Sequence, residues 1–444
     1  MYLRLLALSF GTVLIGRLIS VFRPSLYGLT FGLFLVYLPL VDRIPLNIAP
    51  GVNLVTIFLI ALLGLQFTVA RPSPDLHSSA FRKLLLVWLA VGVFGFLIGL
   101  SGSLPPTELF VLFKRWLDPL LFSLLALRLV RREDQQFLLS CMLIGYTLVS
   151  LQGVREGFDI GHKVRIAGLI GQPNELGAYL AMYAPIVLVT LLFLAKGVMR
   201  LVLLGVLALG VMALVYTGSR ASLLALPLSV CVMLWMSGRG SYGVVGVLLV
   251  VVIAAFPGLL PEKAIERFEA ADTMSIPDLG GVQLDKSAAS RLVVWQGALR
   301  MISEHPLGIG LEQFKQQIHN YADTHEYALD AHNYYLLAWA ELGLIGLFVL
   351  LFLLYRMLAN AWALAKHAPD HFMRSLGLGL WACLIATLFV NCFGSRLMDI
   401  HVSTYLWVLS AVAAGTRDAV YEEEGETLTV VEPLRDQWGL RSYS

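Results

Sequence analysis

Charge is scarce in this chain. Asp, Glu, Lys and Arg make up 14% of its 444 residues, where a soluble domain carries about 25%. Too little charge remains to coat a water-soluble globule of this length. The formal net charge is only +2, so no basic surface for nucleic acid is expected. Cysteine is scarce as well. Cys141, Cys231, Cys383 and Cys392 all lie in or beside apolar runs, and no CxxC pair occurs. That excludes a disulfide framework and argues against a zinc site. Three motifs are missing: a phosphate-binding P-loop, a DxD or paired-carboxylate cluster outside the membrane for a divalent cation, and a GxSxG elbow. We therefore expect no metal and no cofactor. No small-residue cleavage site follows the first apolar run, so a cleavable leader is not expected either.

What is present is apolar. Hydrophobic residues reach 58% and the mean hydropathy is +0.77. Membrane-length runs lie near 25–41, 52–69, 84–101, 108–127, 136–153, 175–195, 201–217, 221–237 and 241–258. Three more follow a long polar stretch, at 334–355, 375–391 and 398–415. Since about 20 apolar residues cross a bilayer, this predicts an all-α, polytopic integral membrane protein with about 12 transmembrane helices. Residues 1–24 form an N-terminal interfacial or extra membrane segment, in which Arg4 and Arg17 favour the interface. Spans 1–9 occupy 25–258, a large loop with helices 259–333, spans 10–12 334–415, and a polar tail 416–444.

Basic residues orient the bundle. With a cytoplasmic N-terminus, Arg71, Arg82, Lys83, Arg128, Arg131, Arg132, Lys196, Arg200, Arg239, Arg356, Lys366 and Arg374 all fall inside. Both termini are then inside and the long loop is outside. The outside residues that break the trend include Arg155, Lys163, Arg165, Arg220 and Arg396, and we single out Arg165 and Arg220 among them. In the loop, Leu292, Val293, Trp295, Leu299 and Ile302 recur at helical spacing. Trp295 and Phe314 suit an interface, and Pro306-Leu307-Gly308-Ile309-Gly310 is a turn signal.

Several outer-face constellations could carry chemistry. Arg165 to Gly168, followed by Gly171-Gln172-Pro173-Asn174, offers glycines for close backbone approach and polar donors for a phosphate or sugar. The same glycines would also serve a plain turn before a membrane helix. Thr217-Gly218-Ser219-Arg220 sets a guanidinium at a helix start, which makes an anion site, although a snorkelling arginine would look alike. Arg291 could be a second phosphate ligand or an ordinary polar position on the loop helix. Asp330-Ala331-His332-Asn333-Tyr334-Tyr335 places a histidine where loop meets membrane. That is a natural place for proton transfer, or for a capping residue. Glu341 lies inside a span and needs a partner there. Lys114 and Arg115 either add positive potential to the same cavity or pair with Asp118.

Taken in order, Arg165…Gly168…Asn174, Thr217-Gly218-Ser219-Arg220, Arg291…Trp295, Pro306…Gly308…Gly310 and His332-Asn333-Tyr334 resemble the O-antigen ligase and O-antigen polymerase superfamily of bacterial envelope glycosyltransferases. The resemblance covers most of 25–415. It implies a fold similar to the metal-independent C-type glycosyltransferases and a place in the bacterial inner membrane. The implied donor is an undecaprenyl-pyrophosphate-linked glycan. The implied acceptor is lipid A–core for a ligase, or a second lipid-linked glycan for a polymerase. By position, Arg220 and Arg291 would bind the pyrophosphate and His332 would be the base. Arg165 and Asn174 would support them, and Asn333, Lys114 and Arg115 are further candidates for substrate contact. Inversion at the anomeric carbon follows from a single displacement. A lipid-linked glycan flippase fits the apolar composition equally well. It would show charges along a transmembrane path and recognisable repeats, and no convincing repeat is found.

Overall fold

The computed structural model describes residues 16–41, 53–68, 78–160, 165–238, 273–276, 282–322 and 330–437. Helix dominates. The helices are α1 (Leu26–Tyr37), α2 (Leu54–Thr68), α3 (Ser79–Gly99), α4 (Pro106–Leu129), α5 (Gln135–Asp159), α6 (Pro173–Val189), α7 (Val198–Thr217) and α8 (Arg220–Met236). The loop contributes a hairpin of β1 (Thr273–Ile276) and β2 (Val282–Asp285), then α9 (Lys286–Glu304) and the short α10 (Phe314–Gln317). The last three helices are α11 (Tyr334–His367), α12 (His371–Val390) and α13 (Ile400–Gln437).

Among the described residues, six helices are long and apolar enough to cross a membrane: Ser79–Gly99, Arg132–Asp159, Pro173–Leu194, Val198–Thr217, Tyr334–His367 and His371–Val390. Shorter apolar helices occur at Leu26–Leu40, Leu54–Phe67 and Arg220–Met236. The expected spans at 108–127 and 398–415 fall on α4 and α13. The expected span at 241–258 lies outside the described residues. The chain is thus a helical membrane protein.

Apolar side chains inside the bundle interlock. Phe34 of α1 stacks on Phe122 of α4 with centroids 3.9 Å apart. Buried tyrosines bring a polar tip that needs a partner. Tyr183 of α6 donates to the Val402 carbonyl at 2.5 Å and accepts from the Leu406 amide at 3.1 Å, joining α6 to α13. Helix α12 packs against α6, α8 and α11, and its C-terminal end lies among the starts of α6, α8 and α11.

The hairpin was not expected from the sequence. Its strands pair antiparallel, Thr273 opposite Asp285 and Ile276 opposite Val282. Helix α9 forms where periodicity placed it, but its buried face is turned. Val294, Ala298, Met301 and Ile302 are buried while Leu299 is 50% exposed. Phe314, expected at an interface, is 1% exposed and belongs to the core.

Helix α11 is broken. Gly343 has φ 69° and ψ −175°, a left-handed region that favours glycine. The Pro306–Gly310 turn fills the break. The Ile309 amide donates to Ala340 O at 2.9 Å and the Gly310 amide to Glu341 O at 3.0 Å. In return the Leu344 amide donates to Pro306 O at 3.3 Å. The next amide, Leu311, donates to Gly95 O of α3 at 3.0 Å. A β-carbon on Gly343 would stand 2.6 Å from the Leu307 carbonyl carbon. The Glu341 carboxylate finds its partner here, accepting from the Phe314 amide at 3.2 Å. This answers the sequence's question about a buried acid inside a span.

Candidate functional site: an arginine-lined cavity beside an Asp–His pair

The site starts at the turn between α7 and α8. Gly218, at φ 58°, closes α7 in a left-handed C-cap. Ser219 is extended and forms the N-cap of α8, so Arg220 becomes the first helical residue. The turn braces itself: the Ser219 amide donates to Thr217 Oγ1 at 3.2 Å, and the Ser219 and Ser222 hydroxyls lie 2.9 Å apart. Gly177 of α6 lets this turn approach, because a β-carbon there would be 2.8 Å from Ser219 Cβ.

Arg165 fastens the neighbouring loop to the same turn. Its Nε donates to Thr217 O at 2.6 Å, and its Nη2 donates to Asn174 Oδ1. Glu156 accepts from the Ala167 and Gly168 amides at 2.9 and 2.8 Å. Helix α6 then begins at Pro173, with the Gln172 side chain accepting from the Glu175 amide at 2.8 Å. Proline at the first helical position loses no hydrogen bond.

Between these pieces lies an open cavity of about 80 Å³. Arg165, Asn174, Ser219, Arg220, Ser222, Arg291, Val390, Phe393 and Arg396 line it, with Ala178, Gly218 and Ala221. The lining carries four guanidinium groups and no carboxylate. Such a surface suits an anion with several oxygens, because guanidinium gives charge-assisted and bidentate hydrogen bonds. Arg396 is held by Glu175 Oε1 at 3.4 Å and Asp399 Oδ2 at 3.2 Å, with its side chain 9% exposed.

His332 is outside this lining but fixed to the same neighbourhood. Its Nδ1 lies 3.3 Å from Asp330 Oδ2. Ser395, next to Arg396, donates to Asp330 Oδ1 at 3.0 Å. Trp295 Nε1 donates to Ala331 O at 2.8 Å, and the Tyr334 amide donates to Asn391 O at 2.9 Å. His332 itself has φ 47°, an uncommon conformation for a non-glycine residue. Burial works to raise the Asp330 carboxyl. The contact with His332, the hydrogen bond from Ser395 and the charges of His332 and Arg396 outweigh it, so the group titrates below its ordinary value. Burial raises the nearby Glu312 carboxyl, against the opposing pull of the Lys315 and Arg115 charges.

Of the residues singled out in the sequence, Arg165, Asn174, Arg220 and Arg291 meet in the cavity. Three others do not join its lining. Asn333 caps α11, its Oδ1 accepting from the Tyr335 and Leu336 amides at 3.0 and 3.1 Å. Lys114 pairs with Asp118 at 2.8 Å within α4. Arg115 acts on Asp118 and Glu312 through its charge. Sequence reasoning missed Arg396, Asp330 and Ser395 as parts of the site. Arg396 did carry a signal: the orientation expected from the basic residues makes it, like Arg165 and Arg220, an exception to the charge trend.

No curated protein matches the chain. Residues 205–351 match the model of a protein family described as O-antigen ligase. The matched stretch bears Arg220, Arg291 and His332.

Proposed function

We propose that the protein is a glycosyltransferase acting on the outer face of the bacterial inner membrane. It moves a glycan from undecaprenyl pyrophosphate to an acceptor sugar hydroxyl, without metal and with inversion. The acceptor in this reading is lipid A–core, making the reaction O-antigen ligation. The observation that carries it is the cavity with four arginines, beside an Asp–His pair tied to its rim through Ser395.

The chemistry follows from those groups. A pyrophosphate linked to carbon is a good leaving group whose developing charge needs stabilising. Arg220 and Arg291 supply permanent positive charge where it appears. The acceptor hydroxyl oxygen attacks the anomeric carbon as the bond to the pyrophosphate oxygen breaks, and that oxygen keeps the electron pair. His332 takes the hydroxyl proton. It acts as the neutral imidazole, whose free ring nitrogen accepts the proton.

Reconstitution with lipid-linked glycan and lipid A–core tests the reading. His332→Ala should lose about 10²–10⁴-fold in kcat, the usual worth of a general base, while the protein stays folded. Arg220→Ala and Arg291→Ala should weaken donor use, and a chelator should leave transfer unchanged. Full activity in His332→Ala would end the base assignment. Arginine variants altered only in acceptor affinity would end the pyrophosphate assignment. Transfer only to a second lipid-linked glycan would make the protein a polymerase, and export without transfer would make it a flippase.

A further inference from the structure

The geometry points to Asp330 as a positioning residue that orients His332 for proton transfer. This rests on the reading of His332 as base. The two side chains are two residues apart, with Asp330 Oδ2 3.3 Å from His332 Nδ1. Nδ1 is buried and makes no hydrogen bond in this conformation, and the Asp330 carboxylate is an acceptor within reach of it; a proton on Nδ1 that turns toward the carboxylate leaves Nε2 as the acceptor nitrogen. The carboxylate also stabilises the imidazolium formed when the proton is taken.

The pair is anchored from elements other than its own. Ser395 fixes the second carboxylate oxygen at 3.0 Å. Trp295 of α9 fixes the intervening peptide through Ala331 O at 2.8 Å. The Asn333 cap and the Tyr334–Asn391 contact fix the chain just beyond. Held between them, His332 takes its left-handed backbone. A non-glycine residue keeps such a conformation only where its surroundings over-determine it, and such residues cluster at functional sites. The charged groups facing Asp330 are His332, Arg396, Glu312 and Glu341. Arg396 also lines the cavity, and its charge acts on the Asp330 carboxylate.

The test is transfer by Asp330→Asn and Asp330→Glu in proteoliposomes, with kcat separated from donor KM and binding of inorganic pyrophosphate measured alongside. In Asp330→Asn kcat should fall at least about tenfold, up to the 10²–10⁴-fold that a general base contributes. Pyrophosphate binding and donor KM should hold, and Asp330→Glu should recover part of the rate. An unchanged kcat in Asp330→Asn, or a loss that falls on donor KM and pyrophosphate binding instead, overturns the inference and leaves the base assignment standing if His332→Ala is inactive. A fully active His332→Ala overturns both.

Discussion

Arginines at this site both hold the scaffold and face the cavity. Arg165 commits its guanidinium to Thr217 O and Asn174 Oδ1. Arg396 is shared between Glu175 and Asp399. A planar fork can serve two carboxylates and still present a face to the cavity, and an ammonium cannot do so equally well. Arg396→Lys should therefore keep the fold but raise the donor KM several-fold, a change read in the same transfer assay. An unchanged KM would remove Arg396 from the anion site. Much of this residue-scale picture was legible in sequence. Arg165 and Arg220 stood out as cations on the wrong side of the charge bias, and His332 as a titratable group at a junction. Arg396 sat under the same signal. Asp330 did not, because only the fold brings Ser395 and Arg396 to it.

Among the elements, α11 departs most from its sequence. Glu341-Leu342-Gly343 reads as part of one continuous apolar helix. Nothing local announces the break, since the residues that fill it lie more than thirty positions earlier in the Pro306–Gly310 turn. The turn itself was legible from its glycines; its destination was not. The face of α9 was misjudged for a related reason. Burial there is set by the 318–322 segment, where a β-carbon on Gly297 would meet Ala322 Cβ at 2.6 Å. The notch predicts a contrast in thermal unfolding in detergent. Gly343→Ala forces a left-handed backbone onto a side chain that meets Leu307, and should cost about 1–3 kcal/mol. Gly205→Ala in α7, with nothing within 4 Å of the added carbon, should be neutral or gain about 0.5–1 kcal/mol from helix propensity. Equal effects at both positions would deny the notch its structural role.

For the whole molecule, composition was enough to place the chain in a membrane, because apolar length is a property of the sequence alone. Helix ends were less legible. Helix α11 continues to His367 and α13 to Gln437, well past the apolar runs that marked them. Helices outlast the bilayer wherever the residues after it still favour helix. The proposed orientation puts Ser101 and Glu304 outside and Glu133 and Asp370 inside. All four are exposed, so each tolerates replacement by cysteine. In a background where Cys231 and Cys392 are replaced, a membrane-impermeant maleimide should label positions 101 and 304 in spheroplasts. Positions 133 and 370 should react only after permeabilisation. The reverse pattern would turn the site to the cytoplasm and end the envelope reading.

The notch in α11 also has a consequence for how the chain is built. Gly343 lies about 13 Å along the helix from Tyr334, at a depth where an open backbone group in lipid is costly. Its partners on 306–311 leave the ribosome first, and they cannot serve until the following helix has arrived to receive them. The last stretch of α11 therefore cannot settle as an independent span in the order of synthesis. It matures only when the loop folds back against it, so the step that completes this helix is also the step that brings α9, with Arg291, over the cavity.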